Sequence, residues 1–272
     1  MYDETLNTKT YEEQKDAIRR NGWNIEYIKN PSEELQKLAV QQNGLNIRYI
    51  ENPSEEVQKL AVQENGYAIQ FIENPTEEIQ QEAVYECGSA IQYIENPSEE
   101  TQRLAVQDDG LALEYITNPS SKIQMLAVYH DGRAIQYVEN PSEEMKHIAV
   151  QCREGSAIGY IKNPTEELKK IAVETHGLAI EYIENPSIEI QKLAIQENWE
   201  AIECICNPSD EILLYAAEVK QNKQAMDSCN IGLTDNDTPA FESFEEEYDQ
   251  NELAIDSIDI EEIELNTDNI EI

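Results

Sequence analysis

The dipeptide Asn-Pro recurs nine times in this chain, with prolines at Pro31, Pro53, Pro75, Pro97, Pro119, Pro141, Pro164, Pro186 and Pro208. The step is 22 residues throughout, except for 23 between Pro141 and Pro164, where an extra residue falls in the stretch from Gln151 through Gly155. A fixed period of this length predicts small supersecondary units, each covering the apolar face of its neighbour.

Places within a unit are numbered from its proline, as in PSEEVQKLAVQENGYAIQFIEN from Pro53 to Asn74. Proline at place 1 fits the first turn of a helix, where its missing N–H costs nothing. The preceding asparagine reads as the N-cap, with the glutamate of place 3 at N3 in a capping box. Glutamates at places 3 and 4 also favour the positive end of the helix dipole. Glycine at place 14 reads as the left-handed residue that ends a first helix of about twelve residues. Places 15 to 21 predict a second, shorter helix, short enough to be partly 3₁₀.

Place 9 is alanine in all nine units, from Ala39 to Ala216. A methyl group in every unit marks a close approach of neighbouring helices. With the aliphatic residues of places 5 and 8 it forms the i, i+3, i+4 stripe of a buried face, which the valines of place 10 widen. The second helix adds isoleucine at places 17 and 20 and an aromatic at place 19: Tyr27, Tyr49, Phe71, Tyr93, Tyr115, Tyr137, Tyr160 and Tyr182. Glutamine at place 6 lies within the wide buried arc and is expected to hydrogen-bond across units. The segment around Ala17, Ile18 and Gly22 reads as a degenerate first unit that caps the stack. The fold class is therefore all-α: an α-solenoid of about nine two-helix repeats over residues 9–221, after an N-terminal extension at 1–8.

These units resemble short helical repeats of bacterial and phage proteins, in a domain family of unknown function, and more loosely leucine-rich-repeat variants and HEAT-like repeats. The resemblance covers about residues 9–221. It implies an α-solenoid with an interaction role and carries no catalytic residues across.

Charge bounds the partners. Lys and Arg total 19 against 56 Asp and Glu, a formal net charge of -37. Such a chain has no excess cations with which to release counterions, so direct binding to nucleic acid or to an anionic membrane is not expected. A protein with a basic surface is the natural electrostatic partner, although acid content also serves solubility. The start of the chain lacks the basic and apolar regions of a signal peptide, and no apolar run approaches a membrane span. The five cysteines are odd in number and irregularly spaced, which points to a reducing cytoplasm, of a bacterium or of an infected host cell.

After Lys223 there is no Lys or Arg, and 16 acidic residues follow from Asp227 onward. Residues 222–272 are expected to form an acidic, largely disordered tail. That tail reads as a solubility device, as a segment ordering on a partner, or as one docking on the solenoid.

Catalysis is not expected. His130, His147 and His176 fit no metal-protease, triad or phosphate-loop pattern, and Cys204-x-Cys206 is not a zinc framework. Paired glutamates recur in most units, whereas a catalytic pair should be singular. No cofactor is implied.

Two binding roles compete. On the first helix, places 3, 4, 7 and 11 share the outward arc. Place 7 is a basic row, Lys37, Lys59, Arg103, Lys170 and Lys192, with i, i+4 partners such as Glu33 for Lys37 and Glu55 for Lys59. The row breaks mid-stack, where Met125, Tyr129 and His147 occupy places 7 and 11, with Tyr85 two units from Tyr129. Exposed Tyr and Met are enriched at interfaces, so these four form a candidate contact patch for a scaffold, or else record drift at tolerant surface places. The alternative is a nucleic-acid mimic that inhibits a basic enzyme, of the phage anti-defence type. Its carboxylate rows would be Glu33, Glu34, Glu55, Glu56, Glu77, Glu78, Glu99, Glu100, Glu143, Glu144, Glu166 and Glu167. Glu82, a charge at the core-facing place 8, is either a partner's anchor or a side chain that reaches solvent.

Overall fold

The computed structural model describes residues 6–152 and 155–230. The chain divides into two units, residues 1–221 and 222–272. In the first, α-helices alternate with 3₁₀ helices, from Tyr11–Arg20 with Gly22–Tyr27 through to Ile188–Glu197 with Trp199–Cys204. No strand occurs among the described residues. Each α-helix packs on the α-helices before and after it, and each 3₁₀ helix likewise, so the chain builds two rows of helices, one α and one 3₁₀. The repeat is an α-solenoid, and its second helix is 3₁₀ throughout.

Burial follows the period. In the Pro53 unit Val57, Ala61, Val62, Ala68, Ile69 and Ile72 are buried, and the same places are buried in each unit from Pro31 to Pro164, whereas near the C-terminal end Ile202 is half-buried and Ala217 exposed. Place 8, expected in the core, is half-buried: Leu38, Leu60 and Leu104 lie on the core's margin. The apolar face is continuous from Leu6 to Ala216, so no unit has a core of its own.

The caps differ from expectation in three ways. First, the N-cap is the Ser or Thr of place 2. Ser54 Oγ accepts from Val57 N–H, and Thr76, Ser98, Ser120, Ser142, Thr165 and Ser187 do the same in their units. N3 therefore falls on the buried place 5, where a glutamate could not stay solvated, and the glutamate of place 3 sits at N1. A full capping box forms in the N-terminal unit, between Thr10 and Glu13. The α-helices run to ten residues, as in Glu33–Gln42, rather than twelve.

Second, the left-handed residue is the asparagine of Asn-Pro. Asn30, Asn52, Asn74, Asn96, Asn118, Asn163, Asn185 and Asn207 have φ between 49 and 54°. Asparagine tolerates that region better than other residues with a Cβ, and the proline that follows fixes the direction of approach to the next α-helix.

Third, the glycine of place 14 is a contact. A Cβ on Gly110 would stand 2.6 Å from the Ala127 carbonyl oxygen of the next unit, and one on Gly177 2.6 Å from that of Ala194. Backbone meets backbone at these points, which requires a hydrogen where other residues carry a methyl. Gly155, beside the extra residue of the Pro141 unit, takes a positive φ of 59°.

Place 13 caps the 3₁₀ helix. Asn43, Asn65, Asp109, Asp131 and Asn198 each accept, through a side-chain oxygen, the backbone N–H two residues on. The glutamines of place 6 do not bridge units. Gln36, Gln58, Gln80, Gln102, Gln124 and Gln191 each donate to the carbonyl of their own unit's proline, at 2.9 to 3.3 Å. That oxygen lies just before the N-cap and has no partner within the helix ladder, and a side chain five residues on can reach it.

The N-terminal unit carries both of its helices, preceded by a 3₁₀ turn, Leu6–Thr8, whose Leu6 is buried. At the other end an α-helix runs Asp210–Asn230, past the point where the tail was placed. The tail from residue 231 on, the first five residues of the N-terminal extension, and Arg153 and Glu154 lie outside the described residues.

Candidate functional site

The carboxylates of the α row are joined into the architecture. Lys37 bridges both Glu33 in its own helix at 3.2 Å and Glu56 in the next unit at 2.7 Å. Lys59 reaches forward to Glu78 rather than back to Glu55, and Lys15 and Lys192 reach Glu34 and Glu211 in the same way. These four pairs join place 7 to place 4 of the next unit, whereas Lys170 turns to Glu174 in its own helix at 3.7 Å. Place 3 is used in the other direction: Ser54 Oγ donates to Glu33 at 2.9 Å and Ser120 Oγ to Glu99 at 3.2 Å. The hydroxyls of Ser54, Thr76 and Ser120 thus accept from their own helix and donate to the unit before.

These contacts shift the titrations. The Lys15 ammonium holds Glu34 below the ordinary carboxyl value, and Lys59 does the same to Glu78. The Ser54 hydroxyl, then Lys37, lowers Glu33. In return Glu34, Glu56, Glu78 and Glu211 raise Lys15, Lys37, Lys59 and Lys192. Glu82 is half-buried and accepts from Gln63 Nε2 of the preceding unit at 2.6 Å, so it reaches a polar partner at the margin of the core.

This pattern stops at the Pro119 unit. Its places 3 and 4 are Ser121 and Lys122, so Arg103 has no carboxylate ahead of it at place 4. The guanidinium turns back to Glu100 in its own helix, at 2.5 and 2.9 Å. Met125 takes place 7, Tyr129 place 11, and His147 place 7 of the next unit. Met125, Tyr129 and His147 are half-buried, and Met125 packs on the core. The Tyr129 ring meets the His130 ring edge-on at 5.6 Å. Met125 and Tyr129 lie one turn apart on Ser121–His130, and His147 stands on the adjoining helix Glu143–Gln151. Tyr85 is 69% exposed and belongs to Glu77–Glu86, two helices away, with Gln107 at the same place on the helix between.

The 3₁₀ row differs. Five of its place-19 rings stand outward, while Tyr27, Tyr49 and Tyr137 are half-buried against the core. Phe71, Tyr93, Tyr115, Tyr160 and Tyr182 are between 37 and 47% exposed. The physical reason is the 3₁₀ pitch: with three residues per turn, places 17 and 20 eclipse on the buried side and place 19 turns outward. The carboxylates beside them, Glu73, Glu95, Glu114, Glu139, Glu181 and Glu184 at places 18 and 21, are exposed, and none forms an ion pair among the described residues. Adjacent units bring these groups together, since Tyr137 Oη donates to Glu114 of the preceding unit at 3.2 Å. Burial and that carboxylate raise the Tyr137 phenol, with Tyr115 and Tyr160 adding to it from either side. The sequence carries this row openly; the exposure was missed because an aromatic between two isoleucines reads as core.

Among the described residues no group of three or more His, Cys, Asp or Glu is placed to hold a metal ion, and no helix is long and apolar enough to cross a membrane. No family model, curated protein or solved structure matches this chain.

Proposed function

We propose that this protein is a non-catalytic scaffold whose stacked helices bind a protein partner with a basic surface. The observation that carries the reading is the interruption at the Pro119 unit. On either side of it lysines of place 7 reach acids of the next unit, from Lys15, Lys37 and Lys59 before it and from Lys192 after it. At that one unit the acids are absent, and Met125, Tyr129 and His147 stand where inter-unit pairing would otherwise be. A half-buried apolar and aromatic centre ringed by charge has the anatomy of a contact patch, with the surrounding carboxylates steering a basic partner toward it. Tyr85 would contact the partner at the edge of the patch.

The mimic reading draws less support. A phosphate-like row needs free charges, and Glu33, Glu34, Glu56, Glu78 and Glu99 are engaged by lysines or cap hydroxyls of neighbouring units.

The test is affinity capture from the source cell with wild type, Met125→Ala/Tyr129→Ala and Lys59→Met as baits, each prey then titrated by calorimetry. The scaffold reading expects a partner with a basic surface, weakened about tenfold or more by the double variant and unchanged by Lys59→Met. Inhibition of a nuclease that DNA relieves, lost with Glu→Gln changes along places 3 and 4 and kept in the double variant, would establish the mimic instead.

A further inference from the structure

The 3₁₀ row offers a second surface, distinct from the interruption in the α row, and its chemistry is more specific. Three observations converge on it. Five units carry an outward aromatic ring at the same place, Phe71, Tyr93, Tyr115, Tyr160 and Tyr182, the last three being 43, 46 and 47% exposed. Carboxylates without an ion-pair partner among the described residues flank Tyr182 on both sides, as Glu181 and Glu184, and stand on one side of Tyr115, as Glu114, and of Tyr137, as Glu139, whereas Tyr160 lies between Gly159 and Lys162. The chain itself shows what this surface accepts. Arg48, the one guanidinium at place 18, lies with its central carbon 4.8 Å from the Tyr49 ring centroid and 5.7 Å from that of Trp23 in the unit before.

A guanidinium is attracted to the face of an aromatic ring and is weakly enough hydrated to be held there. A neighbouring carboxylate strengthens the site through charge-assisted hydrogen bonds. In the Pro31 unit Arg48 fills that position from within. In later units glutamine, glycine or glutamate replaces it, as Gln92, Gly159 and Glu181 do, and the rings keep their exposure.

We propose that this row is the docking site for an extended, arginine-rich segment of a protein partner, held with one guanidinium against each tyrosine. Packed helices stand about 8–10 Å apart. An extended polyproline-type chain advances about 3.1 Å per residue and returns to the same side every third residue, about 9 Å on. The register is therefore Arg-x-x-Arg, one triplet per unit. A segment with arginines at every second residue would place them on alternating units of length that the row does not repeat. The proposal shares with the scaffold reading the basic character of the partner and nothing of its surface.

The experiment is fluorescence anisotropy on the full chain, with a labelled peptide of four Arg-Ser-Pro triplets and a control of equal composition whose arginines are contiguous. The triplet peptide is expected to bind at least fivefold more tightly than the control. Each Tyr→Leu change at Tyr115, Tyr160 or Tyr182 should weaken it about threefold, and the triple variant roughly thirtyfold, from the loss of the ring quadrupole. The triple Tyr→Phe variant, which keeps the rings, should bind within twofold of wild type and shows that the stack tolerates substitution there. Arg48→Ala frees Tyr49 and Trp23 and should tighten binding about threefold, which no structural defect would do. Equal binding by the Leu and Phe triples, or by the two peptides, overturns the row and leaves the basic-partner reading intact. So does failure of both peptides while a folded basic protein such as lysozyme still binds. Failure of every basic probe overturns both.

Discussion

On the α row, Glu56 and Glu78 hold lysines of the preceding unit, whereas on the 3₁₀ row of the same units Glu73 and Glu95 are exposed and hold no cation. The residue type and the period are the same. What differs is whether the preceding unit presents a cation to the position. An acid tied to the next unit is explained by the architecture, and an acid that recurs without such a tie is available to something outside the chain. The comparison also separates two kinds of exposed ring. Tyr129, like Tyr85, breaks a pattern of glutamine and glutamate at place 11, while Tyr115 or Tyr160 is the pattern, repeated on a surface that stacking does not require.

The largest effect should come where the two rows meet the stacking axis most closely. Gly110→Ala places a Cβ 2.6 Å from the Ala127 carbonyl, with backbone of the next unit on the far side. Backbone cannot rotate away as a side chain does, so the two units must separate. The cost should reach the upper part of the roughly 1–3 kcal/mol typical of overpacking, or exceed it. Urea unfolding followed by circular dichroism would show it as a lowered midpoint. Because stability in a stack is a sum over neighbours, amide exchange should quicken most in the Pro97 and Pro119 units. A fall under about 0.5 kcal/mol would mean that the units slide freely and that their contact is not set by backbone approach.

The next effect tests the turn between the rows. Asn74→Val forces a β-branched residue to φ near 50°, which should cost roughly 1–2 kcal/mol, while Asn74→Gly should cost a few tenths at most. This site shows what the sequence made legible and what it hid. The period, the alternation of two helices, the alanine of place 9 and the buried face could all be read from residue type and spacing alone. The roles of asparagine and glycine could not. Both residues serve as caps and as left-handed turns, so composition leaves them interchangeable. The choice depends on where the next unit's backbone lies, and that is fixed by stacking, not by local preference. The same reason hid the direction of the glutamines, which turn back to their own proline, and of Lys59, which reaches forward. The candidate patch was legible as a deviation from the repeat. The aromatic row escaped because it does not deviate.

The smallest effect concerns the ties of the α row, and it can be read through pH. Glu78 is held below its ordinary value of 4.5 by the Lys59 ammonium, and Lys59 is held above 10.5 in return. A carboxyl with a depressed folded value contributes stability above about pH 4.5 and loses it as the pH falls through that depressed value. A lysine with a raised folded value contributes below about pH 10.5 and loses it as the pH rises through the raised value. Lys59→Met should therefore lower Tm slightly, by about 1 °C, across the plateau between those limits, and the difference from wild type should fade as the pH falls through the depressed value of Glu78. Salt at about 1 M should shrink it, since both groups face water. Glu95→Gln, on the other row, should leave Tm unchanged or raise it slightly at neutral pH, because it removes a charge with no partner from a strongly acidic chain. If Glu95→Gln were the costlier of the two, the acids of the 3₁₀ row would belong to the architecture after all, and the surface proposed for arginine would lose its free carboxylates.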